Sequence, residues 1–172
     1  CFLDYVATGR LEPGVMDKLV AGMAKACREN DLVLIGGETA EMPGFYGPGD
    51  YDISGTIVGV VERENIIDGK KIKPGTIILG LPSTGLHTNG YSLARKVLFD
   101  VAGYKVDTLI DGMDKTIGEA LATPHRSYYP SLIDLCNKKI IQGLAHITGS
   151  GYQGNIPRIL PDDVDVIIDR TT

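Results

Sequence analysis

Short runs of β-branched and aliphatic residues, nearly all stopped by glycine, limit what this chain can fold into. FLDYVATG, LVLIGG, ISGTIVGVV, TIILG and GLAHIT are each long enough for one ordinary strand and no more. Between the first two, residues 13–30 place Val15, Leu19, Val20, Met23, Ala24 and Cys27 three and four apart, the spacing of an amphipathic helix. A second helical stretch carries Leu93, Val97, Leu98 and Val101 and stops at Gly103, a residue suited to a helix C-terminus. Shorter helices are expected over 117–122, 130–137 and 155–160, and the alternation DVDVII reads as a last strand. The ISGTIVGVV run, with glycines that permit close backbone approach, reads as a central strand. Strands and helices mix without strict βαβ alternation or a fixed repeat, so the class is α+β. The charged linker ERENIIDGKKIKPG divides the chain into 1–70 and 71–172.

With 172 residues, 43% of them hydrophobic, the chain can bury a core. Its 17 basic and 22 acidic residues leave a net charge of −5, and the bases are scattered apart from Lys70, Lys71 and Lys73. An extended nucleic-acid footprint is therefore not expected. Cys1, Cys27 and Cys136 are odd in number and lack CxxC spacing, which suits reduced thiols in the cytoplasm. No apolar run reaches the roughly 18 residues of a membrane span, and no signal peptide is evident. CFLDYVATG starts without Met in a strand pattern and DVDVIIDRTT stops in or just after another, so both domains are expected to be incomplete portions of a longer protein.

Three stretches hold residues suited to phosphate chemistry. In LIGGETAEM, Gly36 and Gly37 read as a turn in which main-chain amides could converge on an oxyanion, followed by Glu38, Thr39 and Glu41. Carboxylates suit magnesium, which takes oxygen ligands alongside water and substrate phosphates. Taken alone, a Gly-Gly-acid turn is more often structural, and Asp50 and Asp52 more often cap the start of a strand. In PSTGLHTNGYSLARK, a turn with His87, Thr88 and Asn89 leads into a helix, where free amides favour anions; equally, Thr88 or Asn89 is simply the N-cap. In GLAHITGSGYQGNIP, His146 lies on a short apolar run before a turn of Thr148, Gly149, Ser150 and Gly151. The PSTGLHTNGYSLARK stretch lacks both the Lys of a Walker-type loop and the GxGxxG spacing of a dinucleotide fold.

Together and in this order, LIGGETAEMPGFY, GLHTNGYSLARKVL and GLAHITGSGYQGNIPRILP resemble the phosphoribosylformylglycinamidine cyclo-ligases, or aminoimidazole ribonucleotide synthetases, over essentially the whole chain. The resemblance implies a two-domain α+β fold, with ATP and Mg2+ as cofactors and formylglycinamidine ribonucleotide as substrate. It implies that 1–70 is the latter part of an N-terminal ATP-binding domain that forms a homodimer through its strands, and that 71–172 begins the C-terminal domain. Carried onto this chain, Gly36, Gly37, Glu38 and Thr39 would line the nucleotide, and Glu38, Glu41 and Asp52 would serve the metal. His87 and His146 would be catalytic, with Asn89, Thr148 and Gly149 facing phosphate. The family's earlier Asp-Gly and Asn-Asp motifs, which supply magnesium carboxylates, precede anything present here, so the chain alone is expected to be inactive. Where the family commonly has three glycines after HIT, this chain has Gly149-Ser150-Gly151, and a serine at positive φ would be strained. The alternatives are a relative of the same architecture (a selenide or thiamine-phosphate kinase, or the related amidotransferase-linked synthetase), which usually carries an Asp in the Gly-Gly-acid turn, and a non-catalytic nucleotide-binding module.

Overall fold

A computed structural model describes residues 1–169. They form two compact units: Cys1–Ile66 with Tyr129–Asp134, and Ile67–Tyr128 with the described residues from Leu135 on.

The first unit is built on a three-stranded sheet of order β2-β1-β3, with β1 at Phe2–Thr8, β2 at Leu34–Glu41 and β3 at Tyr51–Ile57. β1 pairs parallel with β2 and antiparallel with β3. The parallel return is made by helix α1, Pro13–Glu29, so this part is one β-α-β unit. Pro13 opens α1 where a missing N–H costs nothing. Asn30 closes it, its side-chain amide donating to the Ala26 carbonyl at 2.8 Å. Val6, Ala7 and Thr8 are fully buried, so β1 is the true central strand and β3 lies at an edge, contrary to the pattern reading of ISGTIVGVV. β3 also stops at Ile57, and Val60 beyond it is fully exposed.

The second difference concerns the glycines. Gly36 through Glu41 are not a turn: β2 runs straight through them in register with Leu3–Thr8. The ladder to β1 overrides the local preference, and Gly37 shows why it has no side chain. A Cβ there would meet the carbonyl and carboxylate of Asp4 on the neighbouring strand.

The second unit holds α2 (Tyr91–Arg95), which widens into a π-helical turn over Lys96–Val101, then α3 (Ile117–Leu121), part of α4 (Tyr129–Asn137) and α5 (Gly151–Asn155), followed by a 3-10 turn at Ile156–Ile159. Thr116 and Glu119 form a reciprocal capping box at the start of α3: the Glu119 amide donates to Thr116 Oγ1 at 3.2 Å and the Thr116 amide to Glu119 Oε2 at 2.9 Å. Ile117, just inside that cap, is the unit's buried apolar anchor. The expected strands at TIILG, GLAHIT and DVDVII do not form among the described residues. Ile77 and Leu79 are 83% and 80% exposed; apolar alternation makes a strand only where a second strand offers a ladder. The helix expected from residue 155 instead begins at Gly151.

Candidate functional site

In the first unit the sheet register places the acids. Glu38, Tyr5 and Ser54 lie in one row across the sheet, Ala40, Ala7 and Asp52 two residues along, and Glu41, Thr8 and Tyr51 in the next row. Because side chains alternate along a strand, Glu38 and Asp52 share one face and Glu41 points from the other. Two strand spacings, about 10 Å, separate Glu38 from Asp52 even on their shared face. The three carboxylates singled out from the sequence as metal ligands are therefore not gathered around one point. Each has its own local partner. Glu41 Oε1 accepts the Leu11 amide at 2.9 Å, bracing the loop after β1. Asp52 Oδ2 accepts the Tyr46 hydroxyl at 3.0 Å. Desolvation and that carboxylate together push the Tyr46 phenol above its ordinary pKa, so it remains a donor. Glu38 is exposed and folds back only onto the adjoining Thr39 amide, at 3.1 Å. All three residues are exposed, and magnesium commonly takes only one or two protein carboxylates.

In the second unit three histidines meet. His87 leaves the turn before α2, His125 the turn before α4, and His146 the extended stretch before α5; they are all the histidines in the chain. The His87 and His125 rings stand 3.8 Å apart, and His125 and His146 5.9 Å apart. Tyr128 stands 6.1 Å from both His87 and His125, and its hydroxyl donates to the Pro82 carbonyl at 3.0 Å. The Thr84 amide lies 3.0 Å from His87 Nε2, and the Thr84 hydroxyl donates to the Pro124 carbonyl at 3.1 Å, tying the first two turns together. Burial first, then the neighbouring His125 and His146, holds His87 below the ordinary imidazole pKa, so it is neutral near pH 7. Two expected site residues are thus brought together, through His125, which carries no sequence signal of its own.

Around His146 the turn is fixed by Asn155, which in the sequence pattern marks only the start of a helix. Asn155 is 3% exposed; its Oδ1 accepts from Thr148 Oγ1 at 3.0 Å, and its Nδ2 donates to Ser150 Oγ at 3.0 Å and to the Gly151 carbonyl at 2.7 Å. The expected strain at Ser150 is absent. Ser150 adopts φ −81°, and Gly151 takes the left-handed conformation at φ +64°. Thr148 and Gly149 accordingly sit in a turn held by one buried amide. Asn89 donates to Thr88 Oγ1 at 3.1 Å, and neither is the cap of α2: Gly90 stands there, with φ +92° and no side-chain bond.

The family model described as AIR synthase related protein, C-terminal domain, matches residues 73–171. The corresponding N-terminal domain matches residues 1–61. The chain belongs to the AIR synthase related family. Within that family it is similar to proteins named phosphoribosylformylglycinamidine cyclo-ligase. The one from Geotalea daltonii is 51% identical over 99% of this chain and 49% of its own length. Those from Carboxydothermus hydrogenoformans and Myxococcus xanthus are each 52% identical, over 97% and 99% of this chain and 49% and 50% of theirs. The chain spans about half the length of these curated relatives. Membership in the AIR synthase related family agrees with the α+β class and with both of its domains being partly represented. No helix among the described residues is long and apolar enough to cross a membrane.

Proposed function

We propose that this chain is part of a cytoplasmic, ATP-dependent cyclo-ligase that closes formylglycinamidine ribonucleotide to aminoimidazole ribonucleotide, releasing ADP and phosphate, in purine biosynthesis. The observation that carries the proposal is the 51% identity, along nearly the whole chain, with a relative bearing that name. In this reaction the γ-phosphoryl group of ATP passes to the formyl oxygen, an internal nitrogen attacks the activated carbon, and phosphate leaves. Such chemistry asks a protein chiefly to position the groups and to neutralise charge.

Residues 1–70 then contribute to the nucleotide-binding domain and 71–172 to the C-terminal domain. Gly36, Gly37 and Thr39 line the nucleotide. Glu38 would be this chain's contribution to holding a magnesium ion, which would supply charge to neutralise phosphate. Glu41 braces the Leu11 loop, and Asp52 orders Tyr46. His87 and His146 face the phosphorylated substrate; neutral imidazole can accept a proton or donate a hydrogen bond to phosphate oxygen. Asn89, Thr148 and Gly149 supply further donors to that group. A homodimer through the N-terminal strands belongs to the same reading: β2 and β3 each have an edge unpaired among the described residues, and Ile53 and Ile57 are 48% and 65% exposed on β3.

The test compares Glu38→Gln with Glu41→Gln in the complete enzyme. Glu38→Gln is expected to lower turnover at least about tenfold, or about 1.4 kcal/mol in the barrier, with folding unchanged. Glu41→Gln is expected to change stability and leave turnover within a factor of about two. An equally active Glu38→Gln enzyme would remove Glu38 from the site. ATP consumption stimulated by selenide or thiamine phosphate, and not by formylglycinamidine ribonucleotide, would overturn the cyclo-ligase assignment itself.

A further inference from the structure

We infer that His87, His125 and His146 form a binding site for one divalent transition-metal ion of the zinc class, separate from any magnesium that accompanies the nucleotide. One ring nitrogen from each histidine lies within 4.8 Å of one from each of the other two. Nitrogens about 2.0–2.1 Å from a tetrahedral zinc ion stand ~3.3 Å apart, so the cluster needs to contract by no more than about 1.5 Å. His125 and His146 are exposed and His87 half-buried, which leaves the rings room to rotate. The rings also meet as aromatic pairs, His87 tilted on His125 and His125 edge-on to His146.

The donor set discriminates among ions. No carboxylate belongs to the cluster, so magnesium and calcium, which prefer oxygen, lack suitable ligands. Three imidazoles suit zinc, copper, nickel or iron, and a three-histidine set leaves a fourth position open, as in zinc sites that bind water or substrate.

One of the rings is already held from behind. His125 Nδ1 lies 2.8 Å from the Arg126 carbonyl, an acceptor only, so Nδ1 carries the proton and Nε2 is left as the donor atom. His87 Nε2 lies 3.1 Å from Thr84 Oγ1, whose own proton goes to the Pro124 carbonyl. The Thr84 amide also donates to Nε2 at 3.0 Å, so the neutral ring carries its proton on Nδ1, and a metal takes His87 at Nε2 in exchange for that bond. Metal-bound histidines commonly have their other nitrogen anchored as His125 does, which fixes both the tautomer and the ring orientation. Here the anchor is the Arg126 carbonyl, a group the phosphate chemistry does not require.

The experiment titrates the protein with Co2+, whose visible spectrum reports its coordination, with Mg2+ present in excess. One equivalent is expected to bind at micromolar concentration with tetrahedral-type bands and no thiolate charge-transfer band. Zn2+ should displace it and Mg2+ should not. His125→Ala is expected to weaken binding at least about tenfold, since loss of even an outer partner of a ligand costs that much. Cys136→Ser should change nothing. Imidazole 15N NMR of the unmodified protein reads the same site without any substitution: one equivalent of Zn2+ should shift a nitrogen of all three histidines. Absence of binding at micromolar metal, a thiolate band, unchanged affinity in His125→Ala, or fewer than three responding imidazoles would each overturn the site. None of these readouts depends on cyclo-ligase activity.

Discussion

The two units position their chemistry by different means. In the first, a ladder of backbone hydrogen bonds fixes where Glu38, Glu41 and Asp52 stand, and their side chains contribute little to that placement. In the second, the histidines and the Thr148 turn are held by side chains, namely Thr84, Tyr128 and Asn155, bonding to carbonyls and to one another. A ladder tolerates many side chains but no backbone intrusion, whereas a turn of the second kind depends on the identity of single polar residues.

That contrast can be broken most sharply at Gly37. Alanine there would drive a methyl group into the Asp4 backbone, which cannot yield without parting β1 from β2, and a loss of about 3 kcal/mol or more is expected. Urea unfolding measures it. A well-folded Gly37→Ala protein of parental stability would mean that the parallel ladder does not set this unit. In the second unit, Asn155→Ala leaves Thr148 Oγ1, Ser150 Oγ and the Gly151 carbonyl without a buried partner, at a cost of about 2 kcal/mol. Hydrogen exchange should show that loss concentrated around residues 148–155. If it spread equally into β1, the local character of the turn would be disproved.

Smaller changes refine the comparison. Thr116→Ala removes the cap of α3 and should cost about 1 kcal/mol in thermal or urea unfolding. The bonds from the Thr116 amide and hydroxyl hold the Glu119 carboxyl below its ordinary pKa. Its stabilisation is therefore fully present above an ordinary glutamate's pKa of 4.5 and is lost as pH falls through the lower folded value. The parent and Glu119→Gln proteins should differ in urea midpoint at pH 7 and converge as the solution is acidified; curves parallel at every pH would contradict the capping box. Smallest is Gly22→Ala, on the exposed side of α1 with open space around it, which should raise stability by about 0.5–1 kcal/mol.

What the sequence made legible follows the same division. α1 and β1 could be read because periodicity and a proline at the first helical position are local signals. Gly36-Gly37 misled, since two glycines signal a break unless a neighbouring backbone needs the space, and Asp4 lies more than thirty residues earlier. TIILG and GLAHIT misled in the opposite sense: their composition suits a strand, but pairing depends on a partner that composition does not report. His87 and His146 stood out because they sit in glycine and hydroxyl turns, and they do meet. His125 follows no period and completes no motif, and Asn155 lies within one without its buried bonds being legible, because side-chain contacts between turns leave no regular trace along a chain.

The placement of β1 has a consequence for the order of assembly. The strand that lies in the middle of the sheet is made before either of its neighbours, and Phe2 must wait for Leu34 on one side and Ile57 on the other. Closing such distant contacts is slow relative to forming α1, which needs only its own residues. During synthesis the helix can therefore be complete while Phe2–Thr8 still exposes hydrogen-bonding groups on both edges. For that interval it is the segment most open to capture by another strand or by a chaperone.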